Sequence, residues 1–248
     1  MAVAHGSRDP RAAAAISELV ARVRSLAAAR GLAGLDVRVA FLDHCAPSLP
    51  QVLGSAADRR GCVVVPLLLT AAYHSETDIP AQLAAARKAL PGLDIRYADT
   101  LGPHPLLLDA LERRLAEAGF CGDRAGTGVV LAAAGSSHPA ANATIAALAA
   151  QWQRRGGWRA VVPAYASAAS PAPAAAVQAL AGRRTLVATY LLAPGYFADK
   201  VRRGSLAAGA AAVSGALGAA PEVAGVVLDR YQAAVRAEVR VVAKAQLS

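Results

Sequence analysis

Ionisable side chains stand where three apolar segments of the chain end. His5 closes the run MAVAH, Asp43 and His44 close VRVAFLDH, and His74 follows CVVVPLLLT by a few residues. Imidazole and carboxylate groups bind divalent first-row metal ions, and a neutral imidazole also accepts protons near pH 7. Any one of these histidines alone would fit a solvated loop. Together at one sheet edge, these groups would hold such an ion and leave coordination positions open.

Two further residues lie in comparable places. His104 follows a fourth apolar segment, in DTLGPHP, and is a candidate for a supporting role beside such a site, as is His44. Ser7 is not surrounded by the GxSxG turn of a hydrolase nucleophile, so we expect it to cap the next helix or to hydrogen-bond an anion there. No GxGxxG or GxxxxGK[ST] motif follows the first strand of either half, which argues against nucleotide binding.

The segments that must position these residues alternate between the hydrophobic periods of strands and helices. Strands are predicted over residues 2–4, 37–42, 62–69 and 94–97, and helices over residues 12–29, 50–60, 79–90 and 105–118. This alternation implies βαβ crossovers, a parallel sheet and an α/β fold. The carboxyl ends of parallel strands share one edge, where ligands bind in such sheets.

The second half of the chain repeats the first. VVLAAAGSS matches VAHGSR, AYASAASPAP matches AFLDHCAPSL, and TLVATYLLAPGYF matches CVVVPLLLTAAYH. We therefore predict two domains, residues 1–122 and 128–248, with the boundary in a short stretch of Gly, Asp, Arg and Thr. Four of the candidate residues are replaced in the second copy, with Ala134 for His5, Ser167 for Asp43, Phe197 for His74 and Ala220 for His104. Joint loss is expected if they serve one role that only the first copy performs.

Charge and cysteine content limit the kinds of partner and metal site that this protein can have. The formal net charge is +9, of which residues 1–124 carry +1 and residues 125–248 carry +8. A basic half suits an anionic partner, but no basic run alternates with aromatics, so nucleic acid is not expected as a partner.

The three cysteines form no CxxC pair, which argues against a structural zinc site, an iron–sulfur cluster or a disulfide framework. Without a signal peptide or a strongly apolar span, we expect a cytoplasmic protein with no membrane partner.

The motifs AHGSRDPR, FLD followed by Pro, and PLLLTAAYHSETDIP resemble the sirohydrochlorin chelatases. The resemblance covers the first half and extends through the repeat over nearly the whole chain. It implies two tandem flavodoxin-like α/β lobes with a cleft between them that binds the tetrapyrrole. It also implies catalytic histidines in the first lobe only.

The resemblance also assigns roles to individual residues. His5 and His74 would bind the metal and abstract protons, together with Asp43, which stands where many relatives have Glu. Arg and Lys side chains of the second lobe would hold the carboxylate rim of the macrocycle. The candidate substrate-binding residues are Ser7, Arg8, Arg11, Ser75, Lys200, Arg202 and Arg203.

The resemblance thus implies a lyase that inserts Fe2+ into sirohydrochlorin for sirohaem biosynthesis. Insertion of Co2+ for cobalamin biosynthesis is the alternative, because imidazole and carboxylate ligands accept both ions. A non-catalytic carrier of tetrapyrrole or metal is an alternative of another class. No permanently bound cofactor is expected, since the metal is a substrate. A monomer is expected, because the duplication already supplies two lobes.

Overall fold

The structure is a computed structural model that describes residues 1–57, 61–71, 77–182 and 184–245, with side chains as far as residue 237. The elements of the first repeat are β1 (Ala2–Ala4), α1 (Pro10–Ala29), β2 (Val39–Phe41), α2 (Leu49–Gly54), β3 (Gly61–Pro66), α3 (Ile79–Ala89), β4 (Asp94–Tyr97) and α4 (Pro105–Glu117). Those of the second are β5 (Thr127–Ala133), α5 (Pro139–Gly156), β6 (Ala160–Tyr165), α6 (Pro173–Ala179), β7 (Arg184–Tyr190), α7 (Tyr196–Ala207), β8 (Ala212–Val213) and α8 (Pro221–Ala245).

Contacts divide the chain into two compact units, each built on one parallel sheet. The first comprises Met1–Gly102 with Pro221–Ser248, and the second comprises Pro103–Ala220. Their strand orders are β2-β1-β3-β4 and β6-β5-β7-β8. The predicted α/β class with two parallel-sheet units is confirmed.

The sheet of the first unit is centred on β1 and β3, which pair in parallel. Val3 lies opposite Ala40 of β2 and Pro66 of β3. Val3 and Val64 are fully buried and pack with apolar side chains of α2 and α3. Since the chain leaves β1 towards β2 and returns to β3, the ends of β1 and β3 flank the switch point at which such sheets bind ligands.

The second unit has long strands at the centre of its sheet. β5 pairs with β7 over seven residues and with β6 over six, and every residue of β5 is buried. A strand covered on both faces has a continuous apolar sequence, and VVLAA in β5 is such a sequence.

Most of the helices begin with proline at their first or second position. There the fixed φ of proline suits the helix, and its missing N–H costs no hydrogen bond.

Each compact unit takes its last helix from the other sequence repeat. α4 packs on β7 of the second unit, and α8 packs on α1 and β3 of the first. The predicted division at residues 122–128 marks the sequence repeats, whereas the compact units divide at 102/103 and 220/221. The chain therefore passes between the units through two short connections.

Most predicted elements match the observed ones within two residues, and β1 and β4 match fully. The main difference is α2, which ends at Gly54 rather than running to residue 60. Glycine and the serine that follows it are poor helix residues, and residues 55–57 form a turn, while residues 58–60 of the predicted helix lie outside the described residues. Among the described residues, no helix combines the length and the apolar character that a membrane crossing requires.

Candidate active site

His5 lies in a loop that leaves β1 and turns sharply at Gly6. Gly6 has φ +94°, and a Cβ atom there would lie 1.8 Å from the carbonyl oxygen of Asp43. Only a residue without a side chain allows the two backbones to approach so closely. Gly6 therefore brings the loop after β1 against the loop after β2.

The two loops are joined directly at the predicted site residues. The Asp43 N–H donates to the His5 carbonyl oxygen at 2.9 Å, continuing the β1–β2 ladder past the strand ends. The Asp43 carboxylate accepts the His44 backbone N–H at 2.8 Å, and its second oxygen lies 3.2 Å from His44 Nε2. The Asp43 side chain remains 62% exposed, so it is open to a ligand as well as to His44.

The His5 ring is oriented by the backbone of the next residue. His5 Nδ1 lies 3.2 Å from the Gly6 carbonyl oxygen. A carbonyl only accepts, so this contact assigns the ring proton to Nδ1 and makes Nε2 the ring nitrogen that carries the lone pair. Such a hydrogen bond fixes the tautomer of a metal-binding or proton-accepting imidazole.

Cys45 is a residue of this site that sequence reasoning missed. Its Sγ donates to the Ser7 carbonyl oxygen at 3.2 Å and so ties the loop after β2 to the loop after β1. Its place two residues after Asp43 was the available signal. The Ser7 hydroxyl accepts the Asp9 N–H at 3.1 Å and forms a turn, but the N-cap of α1 is Asp9, so the expectation that Ser7 caps this helix is wrong.

Of the two arginines predicted to bind substrate in the first repeat, Arg11 is engaged locally. Its guanidinium donates to both carboxylate oxygens of Asp9, at 2.6 to 3.2 Å. These side-chain hydrogen bonds lower the pKa of the Asp9 carboxyl below its ordinary value. Asp9 also caps α1 by accepting the Arg11 backbone N–H. Arg8 is exposed to solvent.

The remaining candidates of the first repeat separate into two cases. His74 and Ser75 lie outside the described residues. His104 begins the second compact unit, where its Nδ1 accepts the Leu106 N–H at 3.2 Å and caps α4. Among the residues that are described, no three His, Cys, Asp or Glu side chains form a group that could hold a metal ion.

The second repeat reproduces the backbone of this site without its side chains. Gly135 has φ +86°, and a Cβ atom there would lie 1.9 Å from the Ser167 carbonyl oxygen. The Ser167 N–H donates to the Ala134 carbonyl oxygen at 2.9 Å, the same distance as between Asp43 and His5. The backbone frame of the site, meaning the glycine turn and the hydrogen bond between the two loops, is thus preserved in the second repeat, where the imidazole and the carboxylate are absent.

The match extends through the loop that follows. Ala168 adopts φ +57° where His44 adopts φ +60°. The N–H of Ala169 bonds two residues back at 2.7 Å, as does that of Cys45. Four equivalent backbone features make a shared origin of the two loops the simplest account.

The three predicted cations of α7 do not all lie on one side of the helix. Lys200 Nζ donates to the carbonyl oxygen of Ala166, just beyond β6, at 2.7 Å. Arg202 donates to the carbonyl oxygen of Val213 in β8 at 3.3 Å, while Arg203 is exposed. Residues two apart face different sides of a helix, so Arg202 cannot share a surface with Lys200.

Comparisons with known proteins agree with this fold. The model of the CbiX family matches residues 1–118 and 128–234. A sirohydrochlorin ferrochelatase of Priestia megaterium is 27% identical over 174 residues, 68% of this chain and 62% of the relative. A sirohydrochlorin cobaltochelatase of the same organism is 29% identical over 147 residues, 58% of this chain and 46% of the relative. The chain thus aligns with less than two thirds of either relative's length.

Two solved structures are similar over most of the chain. SirB from Bacillus subtilis with Fe3+ has a TM-score of 0.78 at 24% identity, covering 96% of this chain and 95% of that one. DR2241 from Deinococcus radiodurans, described as a multi-domain protein with structural similarity to chelatases, has a TM-score of 0.73 at 25% identity. The match covers 92% of this chain and 53% of that one.

Proposed function

The chain belongs to the CbiX family, and on that premise we propose that it is a sirohydrochlorin chelatase, which inserts a divalent metal ion into the macrocycle. The names of the two curated relatives support this substrate and this reaction. We place the chemistry in the first repeat, at His5, Asp43 and His74.

The observation that carries the proposal is the contrast between two matching backbone frames. In one, His5 and Asp43 are joined at 2.9 Å through their backbones, and in the other the same contact joins Ala134 and Ser167. A frame needed only for folding would not require an imidazole and a carboxylate in one copy alone. The side chains in the first copy are therefore the functional difference between the repeats.

Metal insertion requires that two pyrrole N–H protons leave and that the ion lose its water ligands. Because Nδ1 donates to Gly6, His5 Nε2 is the nitrogen whose lone pair would bind the ion or accept a proton. The exposed Asp43 carboxylate can stabilise the positive charge of the ion or of a protonated imidazole. His74 would supply the second imidazole, as the family resemblance implies.

We propose Fe2+ as the physiological metal and Co2+ as the alternative. Imidazole and carboxylate ligands do not discriminate strongly between these ions. The two relatives carry one name of each kind. Initial insertion rates with Fe2+, Co2+ and Ni2+ under anaerobic conditions would rank them, and a clear preference for Co2+ would assign the chain to cobalamin biosynthesis.

The test of the site is the variant His5→Ala, followed by the absorbance change of sirohydrochlorin on metal insertion. Loss of a proton-accepting ligand should lower the insertion rate about 100-fold or more. The matched control is His138→Ala, an exposed histidine at the start of α5, which should keep the wild-type rate. Full activity of His5→Ala would remove the site assignment.

The same experiment separates an enzyme from a carrier. An enzyme releases metallated product in repeated turnovers. A carrier would bind the macrocycle or the ion, but it would yield no more product than there is protein. Product in excess of protein therefore supports the chelatase.

A further inference from the structure

Two neighbouring aromatic rings are exposed at the start of α7. Tyr196 is 68% exposed and Phe197 is 40% exposed, and their ring centroids lie 5.5 Å apart at 65°. Among the described residues, the one other exposed large apolar side chain is Leu206. In a chain with only 4% aromatic residues, such a pair on the surface indicates a contact with a ligand or a partner.

The pair lies at the ligand-binding edge of its own sheet. α7 follows the carboxyl end of β7, which neighbours β5 in the order β6-β5-β7-β8. The ends of β5 and β7 flank the switch point of the second unit, where a flavodoxin-like sheet binds its ligand. In the sequence repeat, Phe197 stands where the first repeat has His74. An aromatic ring thus replaces an imidazole at the position that in the first repeat belongs to the chemistry.

Positive charge accompanies the aromatic pair. Tyr196, Lys200 and Arg203 are spaced i, i+4 and i+7, which places them on one side of α7. The Lys200 ammonium donates one of its three N–H groups to the Ala166 carbonyl oxygen, at 2.7 Å. That bond holds the Lys200 charge beside the strand ends. Asp199 is the acidic residue of the same turn, so the cations of α7 outnumber the anions.

We propose that this aromatic and cationic face binds the tetrapyrrole substrate, with Tyr196 and Phe197 against the conjugated ring and Lys200 and Arg203 on its carboxylate rim. This inference rests on the proposed function. A flat ring with anionic edges matches both halves of the surface, since every conjugated ring offers a π face and carboxylates pair with Lys and Arg. A second copy of this chain, with net charge +9, would bring repulsion to the same face.

The test is an equilibrium titration of the whole 248-residue chain with metal-free sirohydrochlorin, followed by the absorbance of the macrocycle. The double variant Tyr196→Ala/Phe197→Ala should raise the Kd about tenfold or more. Lys200→Met should raise the Kd several-fold and reduce its dependence on salt. The matched control is Leu206→Ala, an exposed apolar side chain of the same helix, which should bind as wild type does.

A second arm distinguishes this inference from the proposed function. His5→Ala should bind the metal-free macrocycle nearly as tightly as wild type while failing to insert metal. If the wild type inserts metal and the double aromatic variant binds normally, the inference alone is wrong. If the wild type neither binds nor metallates sirohydrochlorin, the proposed function fails and the inference fails with it. A change of oligomeric state in the double variant without a change in Kd would assign the face to a second copy.

Discussion

A glycine sets the contact between the two loops that carry His5 and Asp43. At Gly6 the backbone has φ +94°, and the Asp43 carbonyl oxygen occupies the place of a Cβ atom. An L-residue with a side chain would have to move the Asp43 loop and adopt a strained backbone. The geometry of the imidazole and the carboxylate therefore depends on a residue that contributes no chemistry itself.

We predict that Gly6→Ala lowers the rate of metal insertion about 100-fold and also lowers the free energy of unfolding by at least about 1–3 kcal/mol, the cost of a left-handed backbone at a residue other than glycine. The matched control is Gly135→Ala, which meets the Ser167 carbonyl oxygen at 1.9 Å in the second repeat. It should cost similar stability but slow insertion less than tenfold. Urea denaturation and initial rates measure the two effects.

The comparison between these two variants decides where the chemistry lies. Both substitutions create the same steric conflict, so a general loss of stability affects them alike. If Gly135→Ala slows insertion as much as Gly6→Ala does, metal insertion is not confined to the first repeat.

The residues at the strand ends could be predicted from the sequence, but their partners could not. Apolar segments and their ends place His5 and Asp43 at neighbouring strand ends, and the structure brings the two together. Their roles stay predictions. The pairing of Arg11 with Asp9 and the thiol bond of Cys45 depend on loop conformations that hydrophobic periodicity does not encode. The sequence could have predicted that Arg202 and Lys200 lie on different sides of α7, because residues two apart in a helix do not share a side.

At the scale of elements, one carboxylate of α4 accepts several hydrogen bonds from the rest of the second unit. Glu112 Oε1 accepts the indole N–H of Trp152 at 2.7 Å and that of Trp158 at 3.2 Å. Its other oxygen accepts Arg124 at 2.7 Å. Trp152 is almost fully buried, so its N–H has no access to water. The helix is thus tied to α5 and to the segment before β6 by hydrogen bonds to a charged group.

We predict that Glu112→Ala lowers the free energy of unfolding by about 2–3 kcal/mol, because a buried indole N–H loses its acceptor. The matched control is Glu117→Ala in the same helix. Its ion pair with Arg114 is at the surface and should contribute less than about 1 kcal/mol. Urea denaturation followed by tryptophan fluorescence is the measurement, since Trp152 and Trp158 are the two tryptophans of the chain. Equal losses in the two variants would contradict the role of Glu112.

The existence and type of the elements follow from the sequence, whereas the partner of each final helix does not. Periodicity together with Pro and Gly places α1, α3, β4 and α4 within about two residues of their observed bounds. The apolar face of α4 shows that the helix must be buried, but either sheet would satisfy that need. Because α4 ends the first sequence repeat, the repeat suggests that α4 packs on the sheet of the first unit. In the structure, α4 packs on β7 of the second unit instead.

For the whole molecule, the helix exchange changes how charge is distributed. Divided by sequence, the halves carry net charges of +1 and +8, whereas the compact units carry +3 and +6. Several cations of the second unit also have internal partners: Arg114 with Glu117, Arg124 with Glu112, and Arg155 with Asp109. The contrast in charge between the two compact units is therefore milder than the sequence suggests.

The exchange also predicts which fragments of the chain fold. Residues 103–220 contain the whole second unit, whereas residues 125–248 contain its sheet without α4. Four leucines of α4 are buried: Leu107, Leu108, Leu111 and Leu115. Their burial stabilises the unit by about 6–12 kcal/mol, which is comparable to the whole stability of a typical domain, about 5–15 kcal/mol. Loss of α4 is therefore expected to unfold the unit.

We predict that fragment 103–220 unfolds cooperatively in urea, with the blue-shifted tryptophan emission of buried rings, and that fragment 125–248 shows no cooperative transition. Both fragments contain Trp152 and Trp158, so the same signal reports on both. Glu112→Ala within fragment 103–220 is the control, and it should lower the urea midpoint because the same hydrogen bonds are lost. If fragment 125–248 unfolds as cooperatively as fragment 103–220, the folding unit is the sequence repeat, and α4 is dispensable to the second sheet.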